Sequence, residues 1–367
     1  MGDKTKISWA DSTWTTVSGC QRVSRGCESC YAESLSATRL KTSRRYAGVA
    51  EMTPGGEPRW TGLVRTHADI LDQPLRWKRP RMIFCNSMSD TFHKDVPNEF
   101  IAAIFGIAAA CPQHTFQILT KRAERLPEWF AWAARMTSGR FAGAALADLA
   151  AAWLRGEVSS FDYTDGQHPA NIMWLAASRA AGTGWPLPNV WLGVSCEDQA
   201  TADERIPYLL RVPAPVHWIS YEPALGPLDA RAYLDGGGTE CSPRYCSHPF
   251  LRFVVAGGES GRNARPMHPQ WARDLRDQCK TAGVAFHFKQ HGEWVGGRMH
   301  GVHPRTEKGY LCGSIDMLGN FFETASPWNG HDDDGIGSHE AVMVRVGRKL
   351  GGRLLDGVLH DEFPEDR

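Results

Sequence analysis

Three cysteines raise the first question of chemistry. In S-G-C-Q-R-V-S-R-G-C-E-S-C-Y-A, residues 18–32, Cys20, Cys27 and Cys30 fall within eleven positions at the spacing C-x6-C-x2-C. The segment also holds Gly19, Gly26, Arg22 and Arg25, and no long apolar run. Several chemistries use such a cluster. A structural zinc site normally has four ligands, often two C-x2-C knuckles or histidine pairs. Here the fourth would come from a distance, from His93, His114, Cys85 or the Cys241/Cys246 pair. A thiol-redox C-x-x-C leaves the third cysteine surplus. An iron–sulfur cluster held by three thiolates leaves one iron open to bind a substrate or cofactor directly. A zinc hydrolase with three protein ligands and a bound water is a further arrangement, although three-cysteine ligation is unusual for hydrolysis.

The other cysteines read differently. Cys85, Cys111, Cys196, Cys279 and Cys312 stand singly, as small buried hydrophobes do. Cys241 and Cys246, with His248 nearby in GGGTECSPRYCSHP, form a looser second set. In a reducing compartment, clustered cysteines serve metal or redox chemistry more often than disulfides.

The loop must be positioned by the elements around it. The 367 residues are 42% hydrophobic and 22% charged, an ordinary globular composition long enough for one large α/β barrel. Short apolar runs alternate with helical stretches: RMIFC, TFQIL, VWLGVSC, VHWISY, FVVAG and VAFHF, with NEFIAAIFGIAAAC, TADERIPYLLRV and PQWARDLRDQCKTAG among the helices. Counting the run before Cys20, about seven strands are expected. The rhythm predicts parallel βαβ units and a partial (β/α) barrel of six or seven strands over residues 1–292. A helical insertion is expected at about 135–185, a Gly/Cys-rich loop at about 231–248, and a C-terminal extension over 293–367.

Each apolar run ends in polar residues: Asn86, Ser87, Ser89 and Asp90; Thr120, Lys121 and Arg122; Ser195, Glu197 and Asp198; Tyr221 and Glu222; Glu259 and Ser260; Lys289 and Gln290. Ligands of parallel α/β folds bind at the carboxyl ends of strands, so these are the candidate site residues. In GGESGRNARP, Gly257 and Gly258 would admit a ligand to the backbone, Glu259 would bond a ribose or base edge, and Arg262 or Arg265 would hold an anion; a tight turn with a solvated ion pair is the alternative. Tyr221 and Glu222 are the candidates for a general base or hydrogen-atom relay, or Glu222 is simply paired with an arginine. Lys289, Gln290 and His291 would bind an anionic substrate or cap the last strand. Trp9 and Trp14 are expected to pack over the open end of the barrel, with base stacking as the alternative. His331 with Asp332 to Asp334 reads as a solvated loop.

Charge and targeting bound the partners. The chain has 41 basic and 41 acidic residues, so no global field draws it to nucleic acid, while a local basic groove stays open. The start, MGDKTKISWADSTW, lacks the apolar core of a signal peptide, and no apolar stretch is long enough to span a membrane. A cytoplasmic protein is expected.

Over nearly its full length the chain resembles a family of phage- and prophage-encoded proteins of unassigned biochemical role. The resemblance rests on ISWADSTWTTVSGCQRVSRGCESCYA, CNSMSDTFH, FQILTKRAERL, NVWLGVSCEDQ, SYEPALGPLD, VVAGGESGRNARPM, FHFKQHGEW and GRLLDG. That likeness implies a bacterial host cell as the setting. A more distant likeness is to radical S-adenosylmethionine (SAM) enzymes, the spore photoproduct lyase branch in particular. In those enzymes three cysteines on the loop after the first barrel strand hold a 4Fe–4S cluster whose open iron chelates SAM. Their commonest spacing is C-x3-C-x2-C; this chain keeps the C-x2-C half and has six residues in the first gap. Here CNSMSD, ILTKR and GVSCEDQATADERIPYLL match the branch's strand ends. The likeness implies that Cys20, Cys27 and Cys30 ligate the cluster, that Asn86, Ser87, Ser89 and Asp90 lie near the SAM amino group, and that Lys121 lies near its carboxylate. Ser195 and Arg205 would lie beside the ribose and carboxylate.

Together these features lead to an expected radical SAM-type enzyme that cleaves SAM reductively. It would be served by a reductant such as a flavodoxin or ferredoxin and would act on a nucleotide or nucleic acid, in DNA modification or repair. The rival is a non-catalytic phage accessory protein in which zinc clamps the N-terminal loop onto a barrel that binds a partner or nucleic acid.

Overall fold

Seven of the apolar runs form one parallel sheet in a computed structural model, which describes residues 5–137, 143–157, 168–234, 249–296, 312–324 and 340–364. The strands are β1 (Ser12–Trp14), β2 (Met82–Cys85), β3 (Thr115–Thr120), β4 (Val190–Cys196), β5 (Val216–Tyr221), β6 (Leu251–Gly257) and β7 (Ala285–Gln290). They lie side by side in chain order, the succession of a partial (β/α) barrel. Register is fixed by pairs such as Ser12↔Ile83, Met82↔Thr115, Phe116↔Val190 and Phe253↔Ala285. Every residue of β4 and β5 is buried, as near-continuous Val, Ile, Leu and Trp content predicts for strands covered on both faces.

A parallel strand must be reached by a crossover. These are α1 (Tyr31–Ala37) before β2, α2 (Asn98–Ala109) before β3, α3 (Arg125–Met136), α4 (Gly143–Glu157) and α5 (Pro169–Arg179) before β4, α6 (Gln199–Leu209) before β5, and α7 (Pro269–Ala282) before β7. The α7 helix shows why its residues stop and start there. His268 Nδ1 accepts from the Gln270 N–H at its start, Pro269 occupies the first turn, and Gly283 at φ 68° ends it. Its buried Trp271, Ala272, Leu275 and Cys279 follow the helical period.

The chain divides into two compact units. One comprises Met1–Val23, Ala32–Val194 and Pro207–His217; the other comprises Ser24–Tyr31, Ser195–Ile206 and Trp218–Arg367. In the first, Phe100 to Ala109 of α2 are all buried, and Phe105 stacks on Trp129 with ring centroids 4.6 Å apart. The span treated as a helical insertion contributes α4 and α5 to this unit. In the second, Phe253 stacks on Phe363 at 5.5 Å. The boundary expected at 292/293 falls inside this unit, which also carries a four-stranded antiparallel sheet in the order Trp294–Gly296, Glu340–Arg345, Cys312–Asp316, Phe321–Thr324. Cys241, Cys246, His248, His331 and Asp332 to Asp334 lie outside the described residues. Among the described residues no helix is long and apolar enough to cross a membrane.

Burial sets the acid stability. Loss of solvation lowers the pKa of His67, His93, His268 and His287 from 6.5 to about 4. These rings are neutral in the fold and gain protons on unfolding. Their contribution is therefore present above the unfolded value, about 6.5, and is lost as pH falls toward about 4. The melting temperature should fall steadily between about pH 6.5 and about pH 4.5. A melting temperature that stays flat across that window contradicts the burial of neutral imidazoles.

Candidate functional site

The cysteine loop leaves β1 and reaches α1, and the chain passes from the first unit to the second between Val23 and Ser24. None of the described cysteines is in a disulfide. Cys27 is buried, and Cys20 and Cys30 are half-buried. The singly placed Cys85, Cys111, Cys196, Cys279 and Cys312 are all buried, as their isolation in sequence suggests. Burial pushes the thiols of Cys85 and Cys279 well up and that of Cys111 up to about 12, which keeps them protonated and inert.

In the first unit a polar network fixes the start of the loop. Asn86, at φ 55°, follows β2 and is buried. Its Oδ1 accepts from Val17 N–H at 2.9 Å and Thr16 Oγ1 at 3.2 Å, and its Nδ2 donates to Thr91 Oγ1 at 2.8 Å. Ser89 Oγ donates to Val17 O at 2.7 Å. Asp90, 5% exposed, accepts from Phe92 N–H, Thr120 Oγ1, Lys121 N–H and Arg122 Nη1, the last at 2.8 Å. Arg122 also donates through Nη1 to Cys20 Sγ at 3.6 Å and through Nη2 to Gln21 O at 3.0 Å. Burial works against the charge of Arg122, but Asp90 and Cys20 outweigh it and hold the guanidinium pKa above its ordinary value. The guanidinium thus stands as a cation against the Cys20 sulfur.

In the second unit two further clamps hold the rest of the loop. Glu197, just past β4 and 1% exposed, accepts from Ser24 Oγ at 3.0 Å and pairs with Arg205 Nη1 at 3.1 Å. Gly26 lies so close over this carboxylate that a Cβ there would overlap it. Arg265 joins Glu28 at 2.7 Å, Arg25 O at 2.9 Å and Glu259 at 2.7 Å, and Ser29 Oγ donates to Asn263 O at 3.2 Å. The stretch from Ser24 to Ser29 is thus held by the ends of β4 and β6.

Several expected site residues have other work. Arg205 gives Nη1 to Ser195 O at 2.7 Å as well as to Glu197, and its Nε is buried with no partner among the described residues. Tyr221 is fully buried, its hydroxyl donates to Gly226 O in closing the turn after β5, and burial raises its pKa far above 10. Glu222 pairs with Lys289 rather than with an arginine. Gly258 has a packing reason that its sequence does not disclose: the space a Cβ would fill is taken by the His291 carbonyl. Gln290 Nε2 donates to Ser260 Oγ at 2.6 Å. Ser87, Ser89 and Lys121 are half-buried polar side chains at the ends of β2 and β3. The loop-holding roles of Arg122, Glu28 and Arg265 are not visible in the sequence, where only their position near strand ends or between cysteines marks them.

The donor set suits iron or zinc in kind: three unbridged thiols on one short segment, one of them under a guanidinium. Among the described residues no group of three or more His, Cys, Asp or Glu side chains is disposed to hold a metal ion.

The chain belongs to a family described as a protein of unknown function (DUF5131), whose sequence profile matches residues 4–364. No curated protein and no solved structure matches it significantly.

Removing Glu197 tests the second clamp. Glu197→Ala leaves the Arg205 charge buried and unpaired and should destabilise the chain by about 3–5 kcal/mol. Urea unfolding measures this; a loss below about 1 kcal/mol would mean that the pair is not buried as described.

Proposed function

We propose that this chain is a radical SAM-type iron–sulfur enzyme acting on a nucleotide or nucleic acid, in DNA modification or repair. One observation carries the reading. Three unbridged cysteines occupy the loop after the first strand of a parallel sheet, and charged residues from the following strand ends hold that loop. Cys20, Cys27 and Cys30 would ligate a 4Fe–4S cluster, which when bound and reduced by a flavodoxin or ferredoxin would supply the electron for reductive cleavage of SAM.

The residues of the chain have distinct parts in this proposal. Arg122 sets a guanidinium against Cys20 Sγ and fixes the neighbouring backbone through Gln21 O. Asn86 and Asp90 act through the loop they hold, since their polar atoms are engaged in it. Ser89 joins them, since its Oγ donates to Val17 O. Ser87 and Lys121 are assigned to SAM itself, the Lys121 ammonium to its carboxylate. Ser195, Gly257 and Glu259 stand at the ends of β4 and β6, and Glu259 orients Arg265. Glu222 and Lys289, a half-buried pair at the ends of β5 and β7, are the groups assigned to proton handling.

Anaerobically reconstituted full-length chain, reduced with dithionite and supplied with SAM, should release 5′-deoxyadenosine and methionine. Cys27→Ser should abolish this, and Lys121→Ala should weaken SAM binding by roughly 10- to 100-fold, the loss of one charge-assisted hydrogen bond. A chain loaded with iron and sulfide that neither binds nor cleaves SAM would refute the proposal.

A further inference from the structure

Neutral net charge conceals a strong local asymmetry. Residues 38–81 contain ten Lys and Arg (39, 41, 44, 45, 59, 65, 76, 78, 79, 81) and four Asp and Glu (51, 57, 69, 72), a balance of +6. The rest of the chain keeps 31 basic and 37 acidic residues, a balance of −6. Three of the four acids in the segment are paired within it: Glu57 with Arg59, Asp69 with Arg45 and Asp72 with Arg76. Arg39, Lys41, Arg44, Lys78 and Arg79 are exposed.

Part of this charge is gathered around one built feature. Leu40, Ser43, Arg44, Arg45, Tyr46 and Asp69 line a hollow of about 350 Å³. Arg44, Arg45 and Arg65 all lie close enough to the buried His67 to disfavour its charged form, and Asp69 alone opposes them. The cluster is fixed in place. Ser18 Oγ donates to Arg45 O at 2.6 Å and meets His67 Nε2 at 2.9 Å, and Val17 and Ser18 pair with Arg65 and Thr66 as a short antiparallel ribbon. Ser18 is two residues from Cys20, so the same backbone carries the cation cluster and the first thiol.

We propose that Arg44, Arg45 and Arg65, with the exposed Arg39 and Lys41 on either side of Leu40 in the chain, form the phosphate-backbone contact of a nucleic-acid substrate. Guanidinium forks match phosphate oxygens in pairs, and several cations along one segment suit a repeating anion better than a single phosphate. The remaining chain, at a balance of −6, carries no comparable excess of cations to attract a polyanion. The inference rests on the proposed enzyme only in naming the bound polymer as the substrate; the surface itself is independent of the cysteines.

The test is the fluorescence anisotropy of a short labelled oligonucleotide, single- and double-stranded, titrated with full-length, anaerobically prepared chain over a potassium chloride series. Wild type should bind at low salt. Lys41→Ala/Arg44→Ala changes two exposed side chains and should reduce the slope of log affinity against log salt by about two, one for each lost phosphate contact. Lys280→Ala on α7 should change neither affinity nor slope. The proposal is overturned if wild type binds no oligonucleotide, if it binds anionic phospholipid vesicles in place of oligonucleotide, or if the double variant lowers the slope by less than about one. Binding is read without regard to SAM cleavage, so loss of one result leaves the other standing.

Discussion

The segment from Gly19 to Cys30 buries almost nothing apolar, and this constraint shapes everything around it. Cys27 alone joins the core, while Val23 is 47% exposed. Such a loop cannot hold a conformation by hydrophobic burial, and its conformational entropy must be offset by polar bonds. Three carboxylate–guanidinium sets supply them: Asp90 with Arg122, Glu197 with Arg205, and Glu259 with Arg265. Buried ion pairs contribute little net stability against a well-packed apolar alternative. Their use after β2, β4 and β6 is better understood as placement, with charge directed at the loop and geometry fixed by several hydrogen bonds per group.

The same contrast separates the cysteines into two kinds. Those on strands and helices are buried, and at Cys85 and Cys279 desolvation holds the proton on sulfur. Those on the loop have neighbours of another sort. Arg122 lies against Cys20 Sγ, and Ser24 Oγ lies 3.9 Å from Cys27 Sγ. A thiol that must ionise to bind metal is helped by a cation or a polar donor nearby, and Arg122 and Ser24 are such groups. Placement at the carboxyl end of the sheet then puts those sulfurs where parallel α/β folds bind ligands.

Much of this was legible in the residues, and for a physical reason. Apolar runs alternating with helical periods encode a parallel sheet locally, and six polar strand ends mark its carboxyl edge. The partners of those polar residues were not legible. Arg122 and Cys20 are 102 positions apart, Ser24 and Glu197 are 173, and Glu28 and Arg265 are 237. No local pattern can pair residues over such separations. Glycines misled for a related reason: Gly258 is small because the His291 backbone passes beside it, a tertiary demand that reads in sequence like an opening for a ligand. The basic segment shows the opposite failing of a bulk number, since +6 and −6 sum to an uninformative zero.

The proposed enzyme stands or falls on what Cys20, Cys27 and Cys30 bind. Iron, acid-labile sulfide and zinc measured per chain on protein prepared without oxygen decide it most directly. The account predicts iron and sulfide in equal amounts, about four of each per chain, lost together in Cys27→Ser. One tightly held zinc per chain, with neither iron nor sulfide, would contradict it and favour a zinc-clamped binding protein.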